Sequence, residues 1–115
     1  STLASGSSDG YVKLWTSNGN FIKTFKNKHT KLVWDVNFSP NGKLIASASK
    51  DGTINLWTNT GQLIKNIKVS RESVFTAKFS PDSRIIASAS ADGIINLWST
   101  KDGKLLGSFR AGAGF

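Results

Sequence analysis

Apolar residues in this chain fall in short runs of about five or six, rich in Ile, Val, Leu and aromatics, between turn residues. In Thr53-Ile54-Asn55-Leu56-Trp57 successive side chains alternate, so Ile54 and Leu56 lie on one face and Asn55 and Trp57 on the other. Both faces therefore carry apolar bulk, and a sheet of that kind needs cover on both sides. Ile45-Ala46-Ser47-Ala48-Ser49 alternates Ala with Ser. Such small side chains let neighbouring sheets approach, and the hydroxyls can take local hydrogen bonds. No segment carries a 3.6-residue apolar period, so the pattern predicts strands and almost no helix.

The strand pattern repeats. LASGSSDGYVKLW (3–15), IASASKDGTINLW (45–57) and IASASADGIINLW (86–98) align, with Trp15, Trp57 and Trp98 spaced by 42 and 41 residues. NFSPNGKLIAS (37–47) and KFSPDSRIIAS (78–88) recur at 41. A period of that length points to units of four short strands. The repeated turns Asp9-Gly10, Asp51-Gly52 and Asp92-Gly93 suit two-residue type I′ hairpins, in which both central residues take positive φ. In Ser39-Pro40-Asn41-Gly42 the Gly supplies a left-handed position. Its counterpart Ser80-Pro81-Asp82-Ser83 lacks that Gly, so strain is expected there.

The chain has 115 residues, no Cys and no Met. Without Cys there are no disulfides or thiolate metal sites, which fits a reducing compartment and a cytoplasmic location. No apolar run approaches the roughly 18 residues that span a bilayer, so no membrane partner is expected. Ser1-Thr2-Leu3 has neither the basic nor the apolar part of a signal peptide, and an initiator Met is lacking. The chain reads as a piece of something longer, or as a processed or engineered segment. The net charge of +8 raises nucleic acid or another polyanion as a partner.

The stretch HTKLVWDVNFSPNGKLIASASKDGTINLW (29–57) resembles one repeat of the WD-repeat β-propeller family, of the bacterial, high-similarity type, and the resemblance extends over residues 3–109. It implies an all-β fold: blades of four antiparallel strands, inner a to outer d, around a central channel, forming a binding platform without catalysis. In that frame the chain reads b (3–8), c (11–16), d (20–26), a (32–39), b (44–49), c (53–58), d (62–68), a (73–80), b (85–90), c (94–99) and d (104–109). That is about 2.75 blades: a partial blade lacking strand a in 1–28, complete blades in 29–69 and 70–109, and a Gly/Ala tail in 110–115, too Gly-rich for a good strand a. Propellers take about four to eight blades, and open end sheets leave apolar faces and a raw edge. The expectation is an incomplete propeller that is no stable monomer. Its partners are other propeller blades, from a larger propeller, a complementary fragment or further copies of the chain. Two copies would give about six blades and three about nine.

The resemblance also implies a hydrogen-bonded structural tetrad of His, Asp, Ser or Thr and Trp, which falls on His29, Asp51, Ser47 and Trp57. Asp51 would fix the His29 tautomer, His29 would bond Ser47, and Ser47 would meet the Trp57 indole. Ser70 or Arg71 stands where the third blade would have its His, Lys28 replaces the usual preceding Gly, and Thr16, Thr58 and Ser99 replace the Asp of the Trp-Asp pair. The tetrad is thus intact at most once. Ser47, His29 and Asp51 nominally supply a nucleophilic set. Yet the same Asp recurs as Asp9 and Asp92 without a His, so it answers to the turn. No enzyme activity is expected. With one His and no Cys there is no metal site, and Gly6 and Gly10 lie in a hairpin rather than a phosphate loop, so no cofactor is expected.

Family propellers engage partners on the loop face near the channel, which implicates Leu32, Trp34 and Lys50, their counterparts Ser73, Phe75 and Ala91, and Ser8. The aromatic pair Trp34 and Phe75 either packs between inner strands or contacts a partner. The clusters Lys23, Lys26, Lys28, Lys31 and Lys65, Lys68, Arg71 fall around strand d, where Lys guards an outer edge or forms a positive band for a polyanion. No aromatic stacking platform interleaves with them. The leading reading is a protein-interaction scaffold that binds a protein or peptide. The alternatives are nucleic-acid binding by the basic rim, and an engineered or excised unit whose one activity is assembly.

Overall fold

The computed structural model describes residues 2–111. In these residues eleven strands form three antiparallel meanders. The first sheet contains β1 (Thr2–Gly6), β2 (Val12–Thr16) and β3 (Phe21–Thr24). The second contains β4 (Val33–Phe38), β5 (Leu44–Ser49), β6 (Thr53–Thr58) and β7 (Leu63–Lys68). The third contains β8 (Val74–Phe79), β9 (Ile85–Ser90), β10 (Ile94–Ser99) and β11 (Leu105–Arg110). β11 takes in Arg110, which the sequence reading assigned to the tail; the rest of that tail, from 112, lies outside the described residues.

The sheets are laid face to face, and alternation decides which residues each junction buries. On β5 and β6, Ile45 and Trp57 turn toward the first sheet, where they pack with Val12, Leu14 and Phe25. The Phe25 and Trp57 rings pack at a tilt of 51° with centroids 4.9 Å apart. Ala46, Ala48, Ile54 and Leu56 turn the other way and meet Val74, Ala77, Ile86 and Trp98 of the third sheet. Each fully buried aromatic or aliphatic side chain contributes about 1.5–3 kcal/mol of transfer free energy. The inner strands β4 and β8 are also joined by polar groups. The Ala77 N–H donates to Asp35 Oδ2 at 3.2 Å, and Asn37 Nδ2 donates to the Ala77 carbonyl at 2.8 Å.

The repeated Asp-Gly turns depart from the type I′ expectation. The Gly52 N–H bonds the Ser49 carbonyl at 3.2 Å. Only the glycines have positive φ, at +92° for Gly10, +86° for Gly52 and +82° for Gly93. Lys50 and Asp51 thus take a type I-like turn, and Gly52 closes a three-residue loop in the left-handed region. The cause lies in the Asp side chain. With negative φ, Asp51 Oδ1 accepts the Thr53 N–H at 3.0 Å, as Asp92 Oδ1 accepts that of Ile94. Ser83 has φ +63°, the one left-handed non-glycine among the described residues, where Gly42 stands at +73° in the second sheet. The substituted hydroxyl accepts the Asn41 N–H across the junction at 3.2 Å.

The segment leaving each sheet is also tied to that sheet's turn. The His29 N–H bonds the Gly10 carbonyl at 2.9 Å, Ser70 bonds Gly52 at 3.1 Å, and Ala111 bonds Gly93 at 2.8 Å. A Cβ on Gly52 would lie 2.1 Å from the Ser70 carbonyl oxygen, whereas one on Gly93 meets nothing within 4 Å among the described residues. Gly93→Ala is expected to cost about 1–2 kcal/mol, from the left-handed backbone alone. Gly52→Ala adds a backbone clash and is expected to exceed about 3 kcal/mol. Urea denaturation followed by tryptophan fluorescence measures both.

Candidate functional site

Two constellations stand out, one buried and one exposed. The buried one joins β5, β6 and the segment before β4. His29 Nδ1 lies 3.1 Å from Asp51 Oδ2, and His29 Nε2 lies 2.7 Å from Ser47 Oγ. The Trp57 indole N–H donates to Ser47 Oγ at 3.0 Å. Because the carboxylate only accepts, His29 carries its proton on Nδ1 and accepts the Ser47 hydroxyl proton on Nε2. Asp51 is held in turn by the Thr30 N–H at 3.0 Å and by Thr53 Oγ1 at 2.7 Å.

The other two sheets carry reduced versions. The Trp98 indole N–H donates to Ser88 Oγ at 2.9 Å, and that of Trp15 to Ser5 Oγ at 2.8 Å. Ser70 takes the place of His29 and donates to Asp92 Oδ2 at 3.0 Å, without reaching Ser88. Asp9 accepts from Ser7 Oγ and from the Tyr11 N–H, with no His beside it. Sequence reasoning missed Thr53. The signal was present: its counterparts are Tyr11 and Ile94, so the one small hydroxyl residue at this position occurs in the one unit that has a His.

The chemistry of the buried set is static. Ser47 is fully buried, its proton is committed to His29, and its oxygen accepts from Trp57. Burial pushes the His29 pKa below its ordinary 6.5, outweighing the attraction of Asp51. For Asp51 burial acts to raise the pKa, but the hydrogen bonds from Thr53 and Thr30 and the His29 ring bring the net value below 3.8. The stable pairing is thus a neutral imidazole beside a carboxylate. Among the described residues no group of three or more His, Cys, Asp or Glu gathers as a metal site. Among the described residues no helix is long and apolar enough to cross a membrane.

The exposed constellation sits at the start of the inner strands. Trp34 is 48% and Phe75 45% exposed, and their rings lie 5.7 Å apart at 57°. Each occupies a β-bulge. Val33 pairs with Ser49 and Asp35 with Ala48, so Trp34 has no partner; Phe75 is skipped in the same way between Val74 and Thr76. A bulge re-aims the side chain of its extra residue. The rings pack on one another and still face solvent. Around them, the Leu32 carbonyl accepts the Lys50 N–H at 3.0 Å, and the Ser73 carbonyl accepts that of Ala91 at 2.8 Å. Lys50 and Ala91 are exposed, Leu32 and Ser73 half-buried, and Ser8 is exposed in the corresponding turn of the first sheet.

Two groups of basic residues lie on and beside the outer strands β3 and β7. Lys65 and Lys68 are exposed on β7, Lys28 lies 5.3 Å from the Tyr11 ring centroid, and Lys23 Nζ donates to the Thr60 carbonyl at 2.8 Å. An open cleft of about 470 Å³ beside β3 is lined by Lys23, Lys26, Asn27 and Gln62.

Comparison with known proteins accounts for this architecture. The family described as WD domain, G-beta repeat matches residues 1–16, 19–58 and 61–99. Among solved structures, the crystal structure of the computationally designed Ika8 protein superposes with a TM-score of 0.82 at 28% identity. The match covers 94% of this chain and 33% of the designed one, so the chain spans about a third of that protein's length. No curated protein matches. The fold is that of β-propeller blades, an all-β array of about 2.75 blades. The chain belongs to the WD-repeat family, whose members are generally non-catalytic interaction scaffolds.

Two outcomes are expected for the buried set. Ser47→Ala strips a partner from both His29 and Trp57, whereas Ser88→Ala strips one from Trp98 alone. At about 1–3 kcal/mol per orphaned buried group, Ser47→Ala should cost about 2–4 kcal/mol and Ser88→Ala about half as much, measured by urea unfolding. The pH dependence follows from the depressed His29 pKa. The unfolded chain binds the His29 proton first, so this stabilisation is full above pH 6.5 and falls as pH drops through the lower folded value. Asp51 adds a second loss below pH 3.8. Urea midpoints at pH 7.5 and pH 5 should differ for the parent chain and converge for His29→Asn.

Proposed function

We propose that this chain is a protein-interaction scaffold that docks a peptide or protein segment on the loop face beside the channel, anchored by Trp34 and Phe75. The observation that carries this reading is the aromatic pair itself, presented by two consecutive bulges and left half exposed. Clustered, rigid aromatics supply large contact area at low ordering cost, and Trp is enriched among residues that dominate binding energy. Leu32, Lys50, Ser73, Ala91 and Ser8 form the rim. In this reading His29, Ser47, Asp51 and Trp57 are structural: they hold the turn carrying Lys50 against β4, so that the bulged ring of Trp34 keeps its place. The turn aspartates Asp9, Asp51 and Asp92 play the same part in each unit.

A random peptide library displayed on phage and panned against the folded chain tests it. Selected peptides should lose about 2 kcal/mol, near 30-fold, on Trp34→Ala and comparably on Phe75→Ala. Ile64→Ala, an exposed apolar residue on β7, should leave affinity unchanged. Peptides indifferent to Trp34→Ala would refute the site.

The Lys23–Lys26 cleft favours a second reading, in which the outer rim binds a polyanion. A labelled single-stranded oligonucleotide should then bind with log affinity falling linearly with log salt, and Lys26→Glu should flatten the slope. A flat salt response removes this reading.

A further inference from the structure

The cleft beside β3 is a joint between two sheets, and its walls are pinned to each other. One wall is the end of β3 and the residues after it, with Lys23, Thr24, Lys26 and Asn27. The other is the turn from β6 to β7, with Gly61, Gln62 and Leu63. The Lys23 ammonium reaches across and donates to the Thr60 carbonyl at 2.8 Å. Gly61 lies so close to the Phe25 ring that a Cβ there would be 2.4 Å from its Cδ1. None of the chain's seven carboxylate side chains lines the cleft. Lys26, Asn27 and Gln62 are exposed, and Thr24 is half-buried. Among the described residues no hydrogen bond or ion pair engages the side chains of these four.

The repeat supplies a comparison. At the next junction the counterparts of Lys23 and Lys26 are Lys65 and Lys68, so the cations recur. The neutral groups do not. Val69 stands for Asn27, and Asn66, which stands for Thr24, spends its Nδ2 on Asn55 Oδ1 at 2.6 Å. Asp102 stands for Thr60 and brings a carboxylate to the same place. Guarding an outer edge accounts for lysines at both junctions, but not for free carboxamides at one. We propose that the cleft beside β3 binds a phosphate monoester carried on a hydroxylated body, the chemistry of a sugar phosphate or of a lipid's inositol phosphate headgroup. The proposal rests on the reading of the outer rim as a surface for anions, and it names the ligand. Lys26 faces the phosphate together with Lys23, whose ammonium keeps donors beyond the one spent on Thr60; the two match its roughly two negative charges. Carboxamides and hydroxyls both donate and accept, as sugar hydroxyls do, so Asn27, Gln62 and Thr24 suit the body. A volume of about 470 Å³ leaves room for that body beside the phosphate, within the range of small-ligand clefts. No aromatic ring lines the cleft, so a nucleobase finds nothing there to stack on.

Two probes test the site at physiological salt: isothermal titration of the intact chain with glucose 6-phosphate, and co-sedimentation with phosphatidylcholine vesicles doped with phosphatidylinositol 4-phosphate. At least one should bind saturably. Binding of the sugar phosphate identifies a soluble ligand, and binding confined to the vesicles identifies a lipid headgroup; both support the site. Lys26→Gln should weaken binding about 10-fold and Asn27→Val about 5-fold. Lys68→Gln removes the same charge one junction on and should leave binding unchanged. Asn27→Val alters no charge, so attraction to a diffuse basic rim cannot respond to it. Gln62→Leu repeats that neutral test from the opposite wall. All four positions are exposed, so the variants should keep the parent's urea midpoint. Glucose alone should not bind, and inorganic phosphate should bind more weakly than the ester. The proposal is overturned if neither probe binds, or if Asn27→Val and Gln62→Leu leave binding intact. It is equally overturned if Lys68→Gln weakens binding as much as Lys26→Gln, or if inorganic phosphate matches the ester. The oligonucleotide separates this failure from that of the rim reading: salt-dependent binding retained there leaves the rim standing, and its loss removes both.

Discussion

A sheet that is apolar on both faces can be covered only by other sheets, and the rest of this structure depends on that requirement. The alternation in Ile45-Ala46-Ser47-Ala48-Ser49 sends a large residue and two serines one way and two alanines the other. The alanines admit Val74, Ala77 and Ile86 of the following sheet. Where the next sheet is present, side chains at these positions lose all contact with water. Where it is absent, the same residue types stay open. Propagation of one junction geometry, rather than a single central core, organises the chain.

The buried polar set is subordinate to that packing. Asp51 first serves its own hairpin, as Asp92 does in a unit without a His. The imidazole then occupies a space between Ser47 and Asp51 that Ser70 only partly fills in the next unit. Geometry that superficially offers a nucleophile, a base and an orienting acid thus amounts to a closed chain of donors and acceptors, with the serine sealed from solvent. Exposed chemistry lies instead where the backbone departs from regular pairing. The bulges put Trp34 and Phe75 into solvent on the inner strands, and they put Ile22, Ile64 and Leu106 outward on the edge strands.

Much of this was legible in the sequence. Two-residue alternation and the 41-residue spacing point to short strands in repeated units, because both report side-chain burial, and the family resemblance places the eleven strands of the described residues to within a few residues. The repeat resemblance grouped His29 with Asp51, Ser47 and Trp57 but not with Thr53, whose hydroxyl lies 3.1 Å from His29 Nδ1. The Asp-Gly turns were misread because turn type depends on the sign of φ at Asp, and the carboxylate's bond to the amide two residues on decides that sign. The bulges left no mark, since Val33-Trp34-Asp35 reads as ordinary alternation and the skipped pairing exists only between strands. The missing Gly at Ser83 did forecast a strained position, but not that its hydroxyl would bridge to Asn41.

The bond from the start of each exit segment to its own hairpin glycine carbonyl has an evolutionary reading. His29, Ser70 and Ala111 each tie the chain back to the hairpin glycine of the sheet it has just left, so the same backbone link recurs at every step. A duplication or deletion that respects the 41-residue step therefore leaves every such donor paired and every new junction a copy of an old one. One that cuts out of phase orphans an amide and exposes an apolar face together. Gene-level change in such an array is thereby quantised: lineages can change the number of units readily, while the interior of a unit tolerates few insertions.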